Sequence, residues 1–373
     1  MKIALVHDFL REYGGAERVL EVLHELWPEA PIFTAFVDWK GLGPHAPALK
    51  QWDIRESWVS RNPFVRKFHS PLRFLAPKIW ESFDVSGYDM VISSSGWYIS
   101  RGISTTKPTV HICYLHHPPR HLYGYQTAVD WQKHWPVRVY AHIINHFLRM
   151  YDYQTAQRVD YFIANSKETQ KRISKFYRRE SIVIYPPVEI KKFQISNFKF
   201  QISNYYLSVS RLARAKHIDL IIQACQKLHV PLVIVGQGRE KEYLRSKIKD
   251  QRSKIVFLGE VADEELPTMY QNAKAFISAS EDEEFGIAAV EAMGYGKPVI
   301  AYRSGGLVET VIEGKTGVFF DELSTDSLIK AVKCLNDLNH LNMRNACIKQ
   351  AKKFSKERFK KEIKEFVSSK YVG

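Results

Sequence analysis

Four cysteines in 373 residues, Cys113, Cys225, Cys334 and Cys347, stand far apart with no C-x-x-C spacing. That scarcity excludes a disulfide framework and a cysteine-rich zinc site, and it suits a reducing cytoplasm. No apolar run reaches the roughly 18 residues that a bilayer span requires. The opening Met1-Lys2-Ile3-Ala4-Leu5-Val6 gives way at once to His7-Asp8, too short a stretch for a secretory leader. A cytoplasmic protein is expected, with any membrane attachment peripheral on the inner face. No D-x-D triplet occurs, so no bound metal and no other cofactor is expected. Acidic residues are also in deficit, 40 against 54 Lys and Arg, a formal charge of +14. The surplus is even: 25 basic against 18 acidic residues through Lys191, and 29 against 22 beyond it. No detached basic tail explains it, and polyphosphates, nucleic acid and anionic membranes would all be attracted.

What is present is an ordinary globular composition, 45% hydrophobic and 25% charged, in a chain too long for one core. A strand over Lys2–His7, the Gly14-Gly15 turn and a helix over Ala16–Trp27 open an α/β domain. Apolar runs at 90–92, 110–114, 161–164 and 182–185 read as its buried parallel strands. Pro186-Pro187 closes it. Between it and the strand at Tyr206, Phe193-Gln194-Ile195-Ser196-Asn197 recurs as Phe200-Gln201-Ile202-Ser203-Asn204, one duplication, far short of a repeat architecture. The second half alternates helix 217–228, strand 232–235, helix 240–250, strand 255–258, helix 264–271, strand 275–278, helix 286–294 and strand 298–301. That spacing predicts a second parallel sheet with helices on both faces. The lysine-rich end, 326–370, reads as helical throughout. The expected domains are 1–190, a linker over 191–205, 206–353, and a C-terminal helix over 354–373 that packs back on the first domain.

Several segments carry chemistry. Glu283 precedes a helix start at Gly286, and Glu291 follows eight positions after Glu283. Helix N-terminal amides are unpaired and attract phosphate or hydroxyl oxygens, Gly286 permits close approach, and carboxylates accept hydrogen bonds from sugar hydroxyls. The plainer alternative has Glu283 serving the helix dipole and Glu291 solvated. Ser210-Arg211-Leu212-Ala213-Arg214-Ala215-Lys216 follows the first strand of the second domain, where doubly wound sheets bind ligands; a merely decorative pair of cations fits the spacing as well. Gly14-Gly15 could offer backbone amides to an anion. Gly236, after Val233-Ile234-Val235, and Gly259-Glu260-Val261 end two further strands and could equally be simple turns. His116 and His117 end a strand before Pro118-Pro119-Arg120; strand neighbours point oppositely, so one metal would not take both.

The string from Glu283 through Phe285-Gly286-Ile287 and Glu291 to Ala301 resembles the E-x7-E element of retaining glycosyltransferases of the GT-B fold, family 4 in particular. The resemblance runs from Lys2 to about Lys353 and takes in Ser304-Gly305-Gly306 and Gly314-Lys315-Thr316-Gly317. It implies two doubly wound Rossmann-like α/β domains facing across a cleft, a nucleotide-diphosphate sugar as donor, and retention of anomeric configuration. By the same resemblance Glu283 meets hexose hydroxyls, Glu291 grips the ribose, and the Phe285, Gly286 and Ile287 backbone faces sugar and phosphate. Arg211 and Lys216 clamp the diphosphate, which Gly14 and Gly15 meet from the other domain. Gly236, Glu260 and Val261 lie toward the nucleotide, His116 near the transferred sugar, and Arg120 by the acceptor. Gly305-Gly306 forms a tight loop facing the cleft, while Gly314 and Gly317 serve a turn.

The segment Cys113–Arg120 looks most like mannosyltransferases of bacterial surface polysaccharide assembly, which makes mannose from GDP-mannose the first donor to expect; the acceptor expected is a glycan or a polyprenyl-linked molecule. His117 departs from the small residue usual there, which bears on the acceptor side. Ser57–Trp80 mixes Arg61, Arg66, Lys67, Arg73 and Lys78 with aromatics and contains no acidic residue. It would either sit on anionic lipid headgroups or pack its aromatics on the core. Nucleic acid is not an expected partner. The competing readings are a nucleotide-sugar epimerase of the same fold, which needs no acceptor, and a non-enzymatic polyanion binder drawn by the net charge.

Overall fold

The structure, a computed structural model, describes residues 1–127, 134–190, 202–248, 254–338 and 340–371. The chain divides into two compact units: Met1–Tyr125 with the stretch that ends at Pro187 and the segment from Lys356, and Val188–Ser355 with Gln126 and Thr127. The first copy of the duplicated Phe-Gln-Ile-Ser-Asn segment, and the first two residues of the second, lie outside the described residues.

The first unit is built on β1 (Ile3–His7), β2 (Ile32–Thr34), β3 (Ile54–Glu56), β4 (Met90–Ser95), β5 (Val110–Leu115), β6 (Tyr161–Ala164) and β7 (Ile182–Val183), with helix α1 (Gly15–Leu26) after β1. Short helices α2 (Ala46–Leu49), α3 (Pro63–Lys67) and α4 (Ala76–Trp80) precede β4; the long α5 (Trp135–Arg158) and α6 (Lys167–Tyr177) flank β6. The strands pair in parallel in the order 3-2-1-4-5-6-7. Strands covered on both faces have few alternating polar positions, which is why β1 reads as a continuous apolar run. Strands β2 and β3, three residues each, escaped the sequence reading because so short a run carries no period.

The second unit contains β8 (Tyr205–Val209), α7 (Ile218–Leu228), β9 (Leu232–Val235), α8 (Lys241–Ser246), β10 (Ile255–Gly259), α9 (Leu266–Asn272), β11 (Ala273–Ser278), α10 (Ile287–Gly294), β12 (Val299–Tyr302), α11 (Leu307–Thr310), β13 (Gly317–Phe320), α12 (Thr325–Asp337) and α13 (His340–Lys352). Its parallel order is 10-9-8-11-12-13. Each sheet is therefore wound outward in both directions from its first strand, and each has its switch point where that strand meets the fourth.

Two expectations are corrected. The helical end is three helices, because Leu338 is extended and Ser355 makes a parallel bridge to Val188 before α14 (Lys356–Lys370) begins. Gly317 is no turn residue: it opens β13, where a side chain would lie 2.1 Å from the Val299 carbonyl oxygen. Helix α14 belongs to the first unit, burying Phe359, Ile363 and Val367 with Leu5, Leu20, Leu23 and Ile163 in one core cluster. Lys356 and Lys360 both reach Glu25 on α1.

Candidate functional site

At the switch point of the second unit, β8 and β11 run side by side, so the loops leaving them are neighbours. The loop from β8 carries Arg211, exposed, and ends in a tight turn over Arg214–Lys216. The loop from β11 carries Glu281–Gly286, and the Glu281 amide donates to the Ala215 carbonyl at 2.9 Å. That contact delivers Lys216 to Glu283, and the ammonium and carboxylate form a part-buried ion pair. Two residues that sequence placed on separate motifs thus touch.

The backbone at Glu283 is held from behind. Gly306 donates to the Glu283 carbonyl at 2.6 Å, and Ser304 Oγ accepts from the Asp282 amide at 3.0 Å. Gly305 sits at φ +57° with the place of a Cβ 2.0 Å from that same carbonyl. The Gly305-Gly306 pair therefore braces the acidic loop, a role its sequence did not disclose. Phe285 is buried against Phe354. Gly286, at φ +88°, caps α10, and the Ile287 and Ala288 amides precede the first helical bond, which Ala289 donates to the Gly286 carbonyl at 3.0 Å. Glu291 lies on α10 only 8% exposed, which corrects the solvated alternative, and the Tyr270 hydroxyl donates to its Oε2 at 2.7 Å. Tyr270, on α9, was not singled out in the sequence; an isolated tyrosine gives no signal until the fold brings it to a buried carboxylate. Gly236, at φ +129°, would put a Cβ 2.0 Å from the Ser210 carbonyl oxygen, so it serves close packing of the loop after β9 on the Arg211 loop. Glu260, exposed, accepts a 3.4 Å hydrogen bond from Gln237 and is followed by half-buried Val261.

In the first unit the switch point lies between β1 and β4, whose register sets His7 opposite Ser94. A buried polar chain starts there. Ser94 Oγ is 3.1 Å from His7 Nδ1 and 2.7 Å from His116 Nε2, and His7 Nε2 is 3.4 Å from Glu17 Oε1. Glu17 Oε2 in turn accepts the Gly14 amide at 2.9 Å. An ionised carboxylate can only accept, and a hydroxyl has one proton. With His7 neutral, its Nε2 donates to Glu17, Ser94 donates to His7 Nδ1, and His116 donates from Nε2 to Ser94. The His116 lone pair then resides on Nδ1, a tautomer inferred from the network. The Gly14 amide is thus engaged by Glu17, and the Gly15, Ala16 and Glu17 amides precede the first helical bond of α1, from Arg18 to the Gly14 carbonyl at 3.1 Å.

Asp8 organises the neighbouring loop, accepting from the amides of Gly96 (3.1 Å), Tyr98 (2.8 Å) and Ser100 (2.9 Å). His116 and His117 lie just past the end of β5 at Leu115. The His117 Nδ1 is 2.9 Å from the Pro118 carbonyl oxygen, while Arg120 starts a half-buried turn over Arg120–Leu122. Sequence reading missed His7, Asp8, Glu17 and Ser94. The available signal was the polar run Ser93-Ser94-Ser95 in an otherwise apolar strand, all three buried, since buried polar groups need partners.

Two doubly wound parallel sheets, each with charged and glycine-rich loops at its switch point, define the GT-B class of glycosyltransferase folds. The domain family described as Glycosyltransferase Family 4 matches residues 13–192, and Glycosyl transferases group 1 matches residues 189–354. Across these two matches the chain belongs to glycosyltransferase family 4. An uncharacterized glycosyltransferase of Methanocaldococcus jannaschii is 29% identical over 53% of this chain and 55% of its own length. A GDP-mannose-dependent alpha-(1-6)-phosphatidylinositol monomannoside mannosyltransferase of Mycolicibacterium smegmatis is 36% identical over 33% of this chain and 36% of its own. The chain thus spans about half or less of the length of these curated relatives. Among solved structures, Anabaena HepE in complex with UDP and glucose superposes with a TM-score of 0.72 at 21% identity, covering 99% of this chain and 100% of that one, a likeness of fold.

Proposed function

We propose that this protein is a retaining glycosyltransferase that moves a hexose from a nucleotide-diphosphate sugar to a glycan or polyprenyl-linked glycan at the inner face of the membrane. The observation that carries the reading is the meeting of Lys216 with Glu283 beside the open helix end at Gly286, on the domain where Tyr270 holds Glu291 buried. A donor diphosphate would draw Lys216 away from Glu283 and leave that carboxylate to accept from hexose hydroxyls, while Glu291 accepts from the ribose. As the C1–O bond to the diphosphate breaks, charge grows on the leaving phosphate. Arg211, Lys216 and the α10 amides would stabilise it without a metal. The acceptor oxygen bonds to C1 on the same face and gives its proton to the departing phosphate oxygen. His116, with its ring fixed by Ser94, would hold a sugar hydroxyl.

Mannose from GDP-mannose is the first donor to test: the Cys113–Arg120 segment points that way, and one relative is named for it, whereas HepE was solved with UDP and glucose. Thermal-shift screening against a panel of nucleotide sugars identifies the donor, since ligand binding raises apparent stability with occupancy. NMR of the product should show a retained anomer, and chelation with EDTA should leave turnover unchanged. An inverted product defeats the mechanism, and a shift with no nucleotide sugar defeats the donor assignment.

A further inference from the structure

Helix α5 carries a row of apolar residues, interrupted by His146 and followed by Gln154 and Gln157, on the side that faces away from its domain. Its buried residues, among them Asn145, Leu148, Asp152 and Ala156, occupy one side at about 100° per residue. Trp135, Val139, Ile143, Phe147, Met150 and Tyr153 fall on the opposite side, and all six are exposed, Trp135 by 69% and Phe147 by 58%. The inner side is already satisfied. Asp152 pairs with Arg101, both fully buried, and accepts from the Tyr123 hydroxyl at 2.6 Å. Asn145 accepts from Arg73 at 3.0 Å and donates to the His121 carbonyl at 3.0 Å. The apolar ridge is therefore not a face awaiting the domain's own core, and exposed apolar surface of this kind marks an interaction site.

Charge indicates what covers it. The acidic residue of α5 is the buried Asp152, while Arg138, His142 and Arg149 flank the ridge. The acid-free stretch Ser57–Trp80 abuts α5 through the Tyr140 hydroxyl on the Pro71 carbonyl and through Arg73 on Asn145. That stretch exposes Trp58, Phe64, Phe68 and Phe74 among the exposed cations Arg61, Arg66, Lys67 and Lys78. Val59, Val65 and Trp80 of this stretch pack inward, whereas Trp58, Phe64, Phe68 and Phe74 do not.

We propose that the α5 ridge, with the exposed aromatics of 58–74, docks on an anionic lipid bilayer, α5 lying in the interfacial plane and the basic residues meeting lipid phosphates. No helix among the described residues is long and apolar enough to cross a membrane, so this surface would act by lying on the bilayer. A second copy of the chain is the weaker occupant, because a two-fold contact would set each cationic flank against its own duplicate. The inference assigns a surface to the membrane location proposed above and rests on that reading only for the location.

Co-sedimentation with vesicles of phosphatidylglycerol and phosphatidylcholine, against phosphatidylcholine alone, tests it. The full chain should bind the anionic vesicles at least about tenfold more tightly, less so as salt rises. The double variant Ile143→Glu with Phe147→Glu should lose about tenfold or more in vesicle binding and keep its nucleotide-induced thermal shift. These side chains point outward, so the variant should fold; Arg138→Ser with Lys67→Ser, both exposed, offers a milder second check that should weaken binding in the same direction. Equal vesicle binding by wild type and both variants would overturn the proposal. So would a wild type that ignores vesicles and sediments as a dimer dissolved by the double variant. Vesicle binding in a protein that turns over no nucleotide sugar would keep the ridge and remove the transfer reading; turnover without vesicle binding would do the reverse.

Discussion

At His116 the neighbours decide what the imidazole can do. Its Nε2 hydrogen goes to Ser94, and Ser94 is set by His7 and Glu17. A Glu17→Gln variant keeps the size of the side chain but can present an amide donor to His7, which would reverse the chain of donors and move the His116 lone pair to Nε2. It should lower kcat about tenfold to a hundredfold while KM for the donor changes little, and it should shift the acid limb of the pH–kcat profile; an unchanged profile would show that the chain only packs. Lys216→Ala removes a cation from the proposed departing diphosphate and should cost about a hundredfold to a thousandfold in kcat/KM. Glu291→Gln should weaken donor binding by about ten to a hundredfold, the worth of a charged hydrogen bond, and calorimetric titration with the donor measures it.

Among the elements, the loop after β12 does for the site what no side chain does. Gly305 and Gly306 lie against the backbone of Glu283–Phe285, and only residues without a Cβ can approach so closely. Gly305→Ala should cost about 1–3 kcal/mol in urea unfolding and should lower donor affinity more than Gly314→Ala, where a Cβ meets nothing. Five of the six strands of the second sheet were legible as short apolar runs beside helical periods, β9 residue for residue; β13 was not, because Gly317 at its head reads as a turn. The bracing was not legible, since a Gly-Gly pair in sequence looks the same whether it turns a loop or fits beneath a neighbouring one.

On the scale of the whole molecule, stability rests on the cores of two units and on neutral groups within them. Phe359 on α14 is fully buried in the first core, and Phe359→Ala should cost about 3–5 kcal/mol in denaturant unfolding. His111 and His121 are buried, and burial lowers their values to about 4 and about 3, below the ordinary 6.5 that the unfolded chain restores. Between those limits the unfolded state binds more protons, so stability is full above pH 6.5 and falls as pH drops toward 4. His111 alone contributes about 3 kcal/mol to that loss, at about 1.4 kcal/mol per unit. Denaturation at pH 7.0 and 4.5 measures the slope, which His111→Gln should flatten.

The sequence by itself determined that the chain makes two parallel-sheet α/β units, and it marked an acidic helix and a cationic loop as candidates for the donor site. It could do so because burial of strands on both faces, helix period and glycine turns are all written within some twenty neighbouring residues. Only the tertiary structure decided that His7 lies beside Ser94, 87 positions away, that Lys216 pairs with Glu283, that Tyr270 holds Glu291, and that α5 shows its apolar side outward. Those contacts depend on strand order and register, which are settled by the packing of distant segments and leave no local period to read.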